Sequence, residues 1–252
     1  MFPDVKAVAF DLDGTIYFGN EIADGALELI ESLKQKGIRV FYFTNNSVRS
    51  RIQIHEKLLK LGLKLSVDHV YTSSYATAVY ASEKSLTDVF CIGSQGLIDE
   101  LRLRDIHIVD CLDKVQALIV GLDAEFNYNK LTRALHVLQQ GCRLIACNRD
   151  RNYPIENGRL MPGCGPIIAA IETAYGVEAD FVVGKPNTYM LQLLASDWQL
   201  TNKEILVVGD SYSSDIEMAK KYNSPSALIY KGEIDVSDTL VIPNLKDLGR
   251  FI

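Results

Sequence analysis

Apolar residues fall along this chain in two rhythms that take turns. Val5–Phe10 is a short, nearly unbroken apolar run, the pattern of a buried strand. Ala26–Gln35 then places Ala26, Leu29, Ile30 and Leu33 three and four residues apart. That spacing puts all four on one face of a helix, and Gly37 closes it. The pair repeats, with Ile38–Phe43 as strand and Arg51–Leu61 as helix, closed by Gly62. Toward the end, Phe181–Val183, Ile205–Val208 and Ser226–Ile229 read as strands, separated by helices over 187–196 and 214–222. Alternating β and α elements predict a parallel sheet covered on both faces.

The middle of the chain repeats this alternation on its own. Val89–Ile92, Ala117–Val120 and Arg143–Cys147 read as strands, and Asn129–Gln139 and Ile167–Tyr175 as helices. The expectation is an α/β fold with a discontinuous core domain, residues 1–75 and 180–252, and a second α/β domain, residues 76–179, inserted into it. No Pro/Gly/Ser-rich linker separates the two, so the joints should be short.

Composition narrows the class. An apolar fraction of 48% and a charged fraction of 23% are those of a soluble globular protein. No apolar run approaches the ~18 residues of a membrane span. The start, MFPDVKAVAFDLDG, has no basic stretch followed by an apolar one, so no secretory leader and a cytoplasmic location are expected. The net charge of -6, from 32 acidic and 26 basic residues with no basic block, argues against nucleic acid as a partner. Cys91, Cys111, Cys142, Cys147 and Cys164 form no CxxC pair and lack a histidine at zinc-site spacing. They read as reduced thiols of the inserted domain. His55, His69, His107 and His136 are scattered. Gly163-Cys164-Gly165 lacks the third glycine of a dinucleotide fingerprint and reads as the start of a helix, and there is no GxxxxGK[ST] loop.

The chemistry gathers at the strand ends, where open α/β sheets bind ligands. Asp11 and Asp13 follow the first strand, and Thr44, Asn45, Asn46 and Ser47 the second. Gly184-Lys185-Pro186 follows Phe181–Val183, and Gly209-Asp210 follows Ile205–Val208, with Asp215 nearby. Residues two apart on an extended strand point the same way, so Asp11 and Asp13 point together if the strand geometry continues. Close carboxylates need a proton or a cation between them. With Asp210 and Asp215 added, the set suits Mg²⁺, which shares its shell with phosphate. Lys185 can steady both phosphate and carboxylates. The Thr44 hydroxyl, with the side-chain amides and backbone N–H groups of Asn45 and Asn46, can hold phosphate oxygens. In that setting Asp11 can act as nucleophile and Asp13 as general acid and then base. Asn148, Arg149 and Asp150 are candidates either for grading a substrate from the inserted domain or for a plain turn before Tyr153-Pro154.

DLDGT, Thr-Asn-Asn-Ser, Gly-Lys-Pro and Gly-Asp followed by Ser-Asp resemble the four motifs of the haloacid dehalogenase superfamily. GLDAEFNYNKL, NRDRNYP and MPGCGPIIAAIETAYG resemble the large α/β cap of its NagD-like branch, the nucleotide and p-nitrophenyl phosphatases. The resemblance implies a Rossmann-like core, a cap, and Mg²⁺-dependent hydrolysis of a small phosphate monoester. It implies Asp11 as nucleophile, Asp13 as acid/base, and Thr44 and Lys185 as phosphoryl-binding residues. Asp11, the Asp13 carbonyl and Asp210, supported by Asp215, would hold Mg²⁺. The second acid of DxD sets phosphatases apart from dehalogenases. The chain departs from the branch at Ser211, where arginine is common, at Tyr222-Asn223 in place of Ala-Gly, and at Cys147 in place of threonine. Phosphotransfer of the same fold and a catalytically idle ligand-binding module are the alternatives. A homodimer through the cap is compatible with the sequence, and no residue argues for it.

Overall fold

The computed structural model describes residues 2–110, 114–154, 159–232, 234, 236 and 238–252. They fall into two compact units. One holds residues up to Thr44 with His55–Tyr71 and Lys185–Ile252, the other Asn45–Ile54 with Thr72–Gly184.

The first unit is built on a six-stranded sheet in the order Leu240–Ile242, Ser226–Ile229, Ile205–Gly209, Ala7–Asp11, Arg39–Thr44, Val70–Thr72. Ala7–Asp11 lies in the middle, parallel to Arg39–Thr44 on one side and to Ile205–Gly209 on the other. Its five residues are all buried, as a strand covered on both faces requires. The helix Ala26–Gln35 buries Ala26, Leu29, Ile30 and Leu33, the four residues its spacing selects. Gly37 then takes a left-handed φ of 77° and its N–H donates to the Lys34 carbonyl, which ends the helix. Later, Asn223 takes a left-handed φ of 57° to close Glu217–Tyr222, a conformation asparagine tolerates.

The second unit has its own parallel sheet, in the order Phe181–Val182, Arg143–Ala146, Ala117–Val120, Asp88–Ile92, His107–Ile108. Its core gathers Val120, Leu144, Ile168 and Ile171 with the buried Cys164. A hairpin, Asn152–Pro154 against Leu160–Pro162, stands apart with every described residue exposed. The helix Cys164–Tyr175 starts at Gly163-Cys164-Gly165 as the sequence suggests. Cys91, Cys142, Cys147 and Cys164 are free thiols, and Cys111 lies outside the described residues. Burial pushes the Cys91 and Cys164 thiols up to about 12.

The fold corrects the sequence reading in particular places. Phe181–Val182 was assigned to the core sheet, but it pairs with Ile145 and Ala146 in the second sheet. The Phe181 ring stacks on Tyr80 at 4.2 Å, and the Asp180 carboxylate accepts from the Leu144 N–H at 2.6 Å. Those contacts set the strand where its short apolar run alone could not. Residues 45–54 and 72–75, assigned to the core, also fall in the second unit. The helices Ser73–Glu83 and Gln95–Arg102 and the strands Val70–Thr72, His107–Ile108 and Leu240–Ile242 are additional. Ser73–Glu83 carries no one-sided stripe because it buries Ser73, Ser74, Ala76, Thr77, Ala78 and Ala81, small residues on several faces. Among the described residues no helix is long and apolar enough to cross a membrane.

Candidate active site

The three central strands of the first sheet end together, which follows from their register. Phe10 pairs with Val208 and Asp11 with Phe43, so the first residues past the pairing are Thr44 on one side and Gly209-Asp210 on the other. Strand order reverses about Ala7–Asp11, and a crevice at such a switch point is where α/β sheets place ligands.

Asp11, Asp210 and Asp215 each bring a carboxylate oxygen within 4.8 Å of the others. Asp215 reaches the cluster through a turn of π-helix, Tyr212–Ile216, that leads into Glu217–Tyr222. Such widened turns recur at functional sites because they re-aim one side chain without ending the helix. The Ser211 N–H donates to the Asp215 carboxylate at 3.2 Å, a backbone contact that does not depend on the departure from the branch at this position. Gly14 holds a φ of 92°, and a Cβ there would run into the Asp210 carboxylate. Glycine is needed there both for its backbone angle and for its missing side chain.

Lys185 stands among these acids with 4% of its surface exposed. Its Nζ donates to Asp11 Oδ1 at 2.5 Å and to Asp215 Oδ1 at 2.7 Å. Burial works against the ammonium charge, but Asp11 and Asp215 outweigh it and hold the lysine above its ordinary range. Asp11 is pulled the other way. Burial pushes its carboxyl well above the usual carboxylate range; Lys185 opposes the shift, and Asp215 and Asp210 add to it. Lys185 thus falls short of neutralising the acids. Three carboxylates against one ammonium leave two negative charges, and a divalent cation would offset them. The oxygen-only donor set suits Mg²⁺. Burial and the neighbouring Asp215 charge push the Asp210 carboxyl above its ordinary range, opposed by Lys185 and least by the buried Thr15 hydroxyl.

Asp13 lies two residues past the last residue of its strand. The strand geometry ends at Asp11, and the Asp13 side chain is exposed and outside the acid cluster. The buried Tyr17 hydroxyl donates to Asp13 Oδ2 at 3.0 Å. The Lys57 ammonium sits 3.6 Å from the Tyr17 ring centre. Asp13 is therefore a held, solvent-facing carboxylate, suited to moving protons. Its carbonyl, rather than its carboxylate, remains the candidate cation ligand.

Thr44 is buried at the end of its strand. The remaining sequence candidates lie in the second unit, with their side chains engaged there. Asn45 Nδ2 donates to Asp150 Oδ1 at 2.9 Å. Asn46 Oδ1 accepts from the N–H groups of Val48 and Arg49 at 2.9 and 2.8 Å. In these contacts the two side chains brace the loop that follows Thr44. His55 and His69 bond the Leu65 and Val40 carbonyls, in keeping with structural histidines. Thr15 and Tyr17 were missed by the sequence reading. Thr15 stood inside DLDGT, and its position was the available signal. Nothing marked Tyr17, because its role depends on a turn that brings position 17 back to position 13.

Two family models match the chain, a haloacid dehalogenase-like hydrolase over residues 8–107 and a HAD-hydrolase-like model over 182–248. The sugar-phosphatase AraL of Bacillus subtilis is 34% identical over 97% of this chain and 92% of its own length. The structure of a p-nitrophenyl phosphatase from Archaeoglobus fulgidus superposes with a TM-score of 0.92 at 33% identity, covering 99% of this chain and 100% of that one. A chain described as a nagD protein gives a TM-score of 0.93 at 26% identity, covering 100% of both. With the four motifs in order and the acid–lysine cluster formed at the sheet's switch point, the chain belongs to the haloacid dehalogenase-like hydrolases, in their NagD-like phosphatase branch.

Proposed function

We propose that the protein hydrolyses small phosphate monoesters, with Mg²⁺, through an aspartyl-phosphate on Asp11. The observation that carries this reading is the buried Lys185 bridging Asp11 and Asp215 at 2.5 and 2.7 Å, with Asp210 completing an acid cluster that keeps an excess of negative charge. A site built only for stability would balance its buried charges.

In the first step a carboxylate oxygen of Asp11 attacks phosphorus, and the bond from phosphorus to the ester oxygen breaks. Asp13, held by Tyr17, gives its proton to the departing alkoxide. In the second step Asp13 takes a proton from water, the water oxygen attacks phosphorus, and the bond to Asp11 breaks, releasing inorganic phosphate. Lys185 fixes the attacking carboxylate and offsets charge on the phosphoryl oxygens, with Thr44 on the neighbouring strand as a further donor. Asp11, Asp210, Asp215 and the Asp13 carbonyl would hold Mg²⁺, which when bound neutralises phosphate charge and keeps Asp11 ionised. The sugar-phosphatase and p-nitrophenyl phosphatase relatives support a small ester as substrate.

The test is phosphate release from a panel of sugar phosphates, nucleoside monophosphates, phosphoglycolate, pyridoxal phosphate and p-nitrophenyl phosphate, with Mg²⁺ or with EDTA. Turnover that needs Mg²⁺ and disappears in Asp11→Asn is expected, and the rank order would begin to name the substrate. Release that persists in Asp11→Asn, or none from any ester, would overturn the reading.

A further inference from the structure

Asp13 stands exposed on the turn past Ala7–Asp11, where the sheet's own hydrogen bonds no longer fix its direction. The chain folds back on itself there. The Ile16 and Tyr17 N–H groups donate to the Leu12 carbonyl at 2.9 and 3.1 Å, and the Gly14 N–H donates to the Tyr17 carbonyl at 2.9 Å. Beyond the turn, Tyr17–Phe18 pairs with Glu21–Ile22. These bonds bring position 17 beside position 13, and the Tyr17 hydroxyl reaches Asp13 Oδ2 at 3.0 Å. Tyr17 is 1% exposed, so a buried ring carries the one polar tip that meets this solvent-facing carboxylate. The ammonium of Lys57 lies 3.6 Å from the centre of the same ring. Lys57 is half-buried on the helix Arg51–Lys60, one residue before the buried Leu58. Asp13, Tyr17 and Lys57 all belong to the first unit.

We propose that Lys57 is a positioning residue for the acid/base step, acting on Asp13 through the face of Tyr17. A cation over an aromatic ring is drawn to the negative face of its quadrupole, and more strongly where water is excluded. The ammonium therefore holds the ring in one tilt, and the hydroxyl stays where Asp13 Oδ2 accepts it. It also draws electron density from the ring, which makes the O–H a better donor, as linked polar contacts polarise one another. Asp13 is asked to give a proton to a departing alkoxide and later to take one from water. Both transfers need the carboxyl group at the same place, and a small misplacement slows each. A lysine that served packing alone would leave the choice of leaving group without influence. A lysine that acts on the acid slows most the esters whose leaving group needs a proton.

This role rests on the phosphatase reading, and one arm of its test needs no activity. In the first arm Lys57→Met, which keeps an unbranched stem without the charge, and Lys57→Arg are compared on a sugar phosphate and on p-nitrophenyl phosphate. p-Nitrophenolate leaves without a proton, whereas a sugar alkoxide needs one. Lys57→Met is expected to lower kcat/KM by about 10-fold for the sugar phosphate and by less than about 3-fold for p-nitrophenyl phosphate. Lys57→Arg should recover most of the loss, because a guanidinium also binds the ring face. In a Tyr17→Phe background, where the hydroxyl is gone, Lys57→Met should cost little more. In the second arm, solvent exchange of the Tyr17 hydroxyl proton is followed by NMR in the free protein. It should quicken about 10-fold in Lys57→Met and less in Lys57→Arg. Equal losses on the two esters, or a loss that adds in full to that of Tyr17→Phe, would overturn the proposal and leave Lys57 a packing residue. Unchanged hydroxyl exchange would also overturn it. A wild-type protein inactive on every ester would sink the phosphatase reading, and the exchange arm would still decide whether Lys57 holds the Tyr17 hydroxyl on Asp13.

Discussion

Two parallel sheets of the same kind end in opposite ways. The first ends in charge, with Asp11, Asp210, Asp215 and Lys185 gathered past its central strands. The second ends in small residues and amides, Gly121, Cys147, Asn148 and Gly184, and the loop 45–48 is hydrogen-bonded across them. The general rule puts a ligand at the carboxyl ends of an α/β sheet because the strands stop there and loops diverge. The second opening seats the protein's own backbone, and the first is the one proposed for chemistry. Which use is made depends on whether the residues past the strand carry charge that needs a partner or amides that already have one.

The largest effect expected is on chemistry at the first sheet. Asp11→Asn should lower turnover by about four orders of magnitude or more, since no other group would replace the proposed nucleophile. A loss below tenfold in steady-state phosphate release would break the assignment of chemistry to this end. Next comes Lys185→Met, which leaves Asp11 and Asp215 buried without their cation. We expect a loss of about 3–5 kcal/mol in urea-unfolding stability, along with activity. An unchanged urea midpoint would mean that the cluster is not held together by that lysine.

Saturating Mg²⁺ should raise the thermal midpoint of the wild-type protein, because a ligand of the folded state stabilises it by mass action. The rise should shrink in Asp210→Asn, and equal shifts in both proteins would remove Asp210 from the ligand set. Tyr17→Phe is expected to lower kcat by up to tenfold by releasing Asp13, at about 1 kcal/mol for one hydrogen bond. Wild-type kcat in that variant would show that Asp13 is held otherwise.

The smallest effect lies on the surface at Thr201-Asn202-Lys203-Glu204, away from both sheet ends. Lys6 and the Thr201 backbone and hydroxyl hold the Glu204 carboxyl down to about 2. A folded pKa below the unfolded one contributes stability above the usual glutamate range and loses it as pH falls toward the folded value. The stability gap between wild type and Glu204→Gln should therefore close on acidification from pH 6 to pH 3. A gap that widened would contradict the sign.

The two rhythms of the sequence were enough for the alternating architecture, and most helices and strands begin and end within a few residues of where their apolar spacing places them. The positions of the motif residues were equally legible where they close or follow a strand. Asp11 closes a strand and Asp210 follows one, so a short stretch of sequence locates each. Phe181–Val182 was misplaced because two apolar residues can pair in either sheet, and only the stacking on Tyr80 and the Asp180 contact choose. Asp13 follows the last residue of its strand by two, so period-2 alternation alone does not set where its side chain points.

The sequence by itself determined that this is an α/β protein of the haloacid dehalogenase kind and which acids and lysine it brings to its strand ends. Periodicity and motif order are properties of neighbours along the chain, and neighbours interact before any distant contact forms. The tertiary structure alone decided that Lys185 divides its ammonium between Asp11 and Asp215, that Tyr17 holds Asp13, and that Asn45 turns its amide to Asp150. Except for Tyr17, these partners lie 30 to 174 residues apart, and no local rule relates them. Burial, register and the close approach of two backbones set those distances, and they exist only once both sheets have closed.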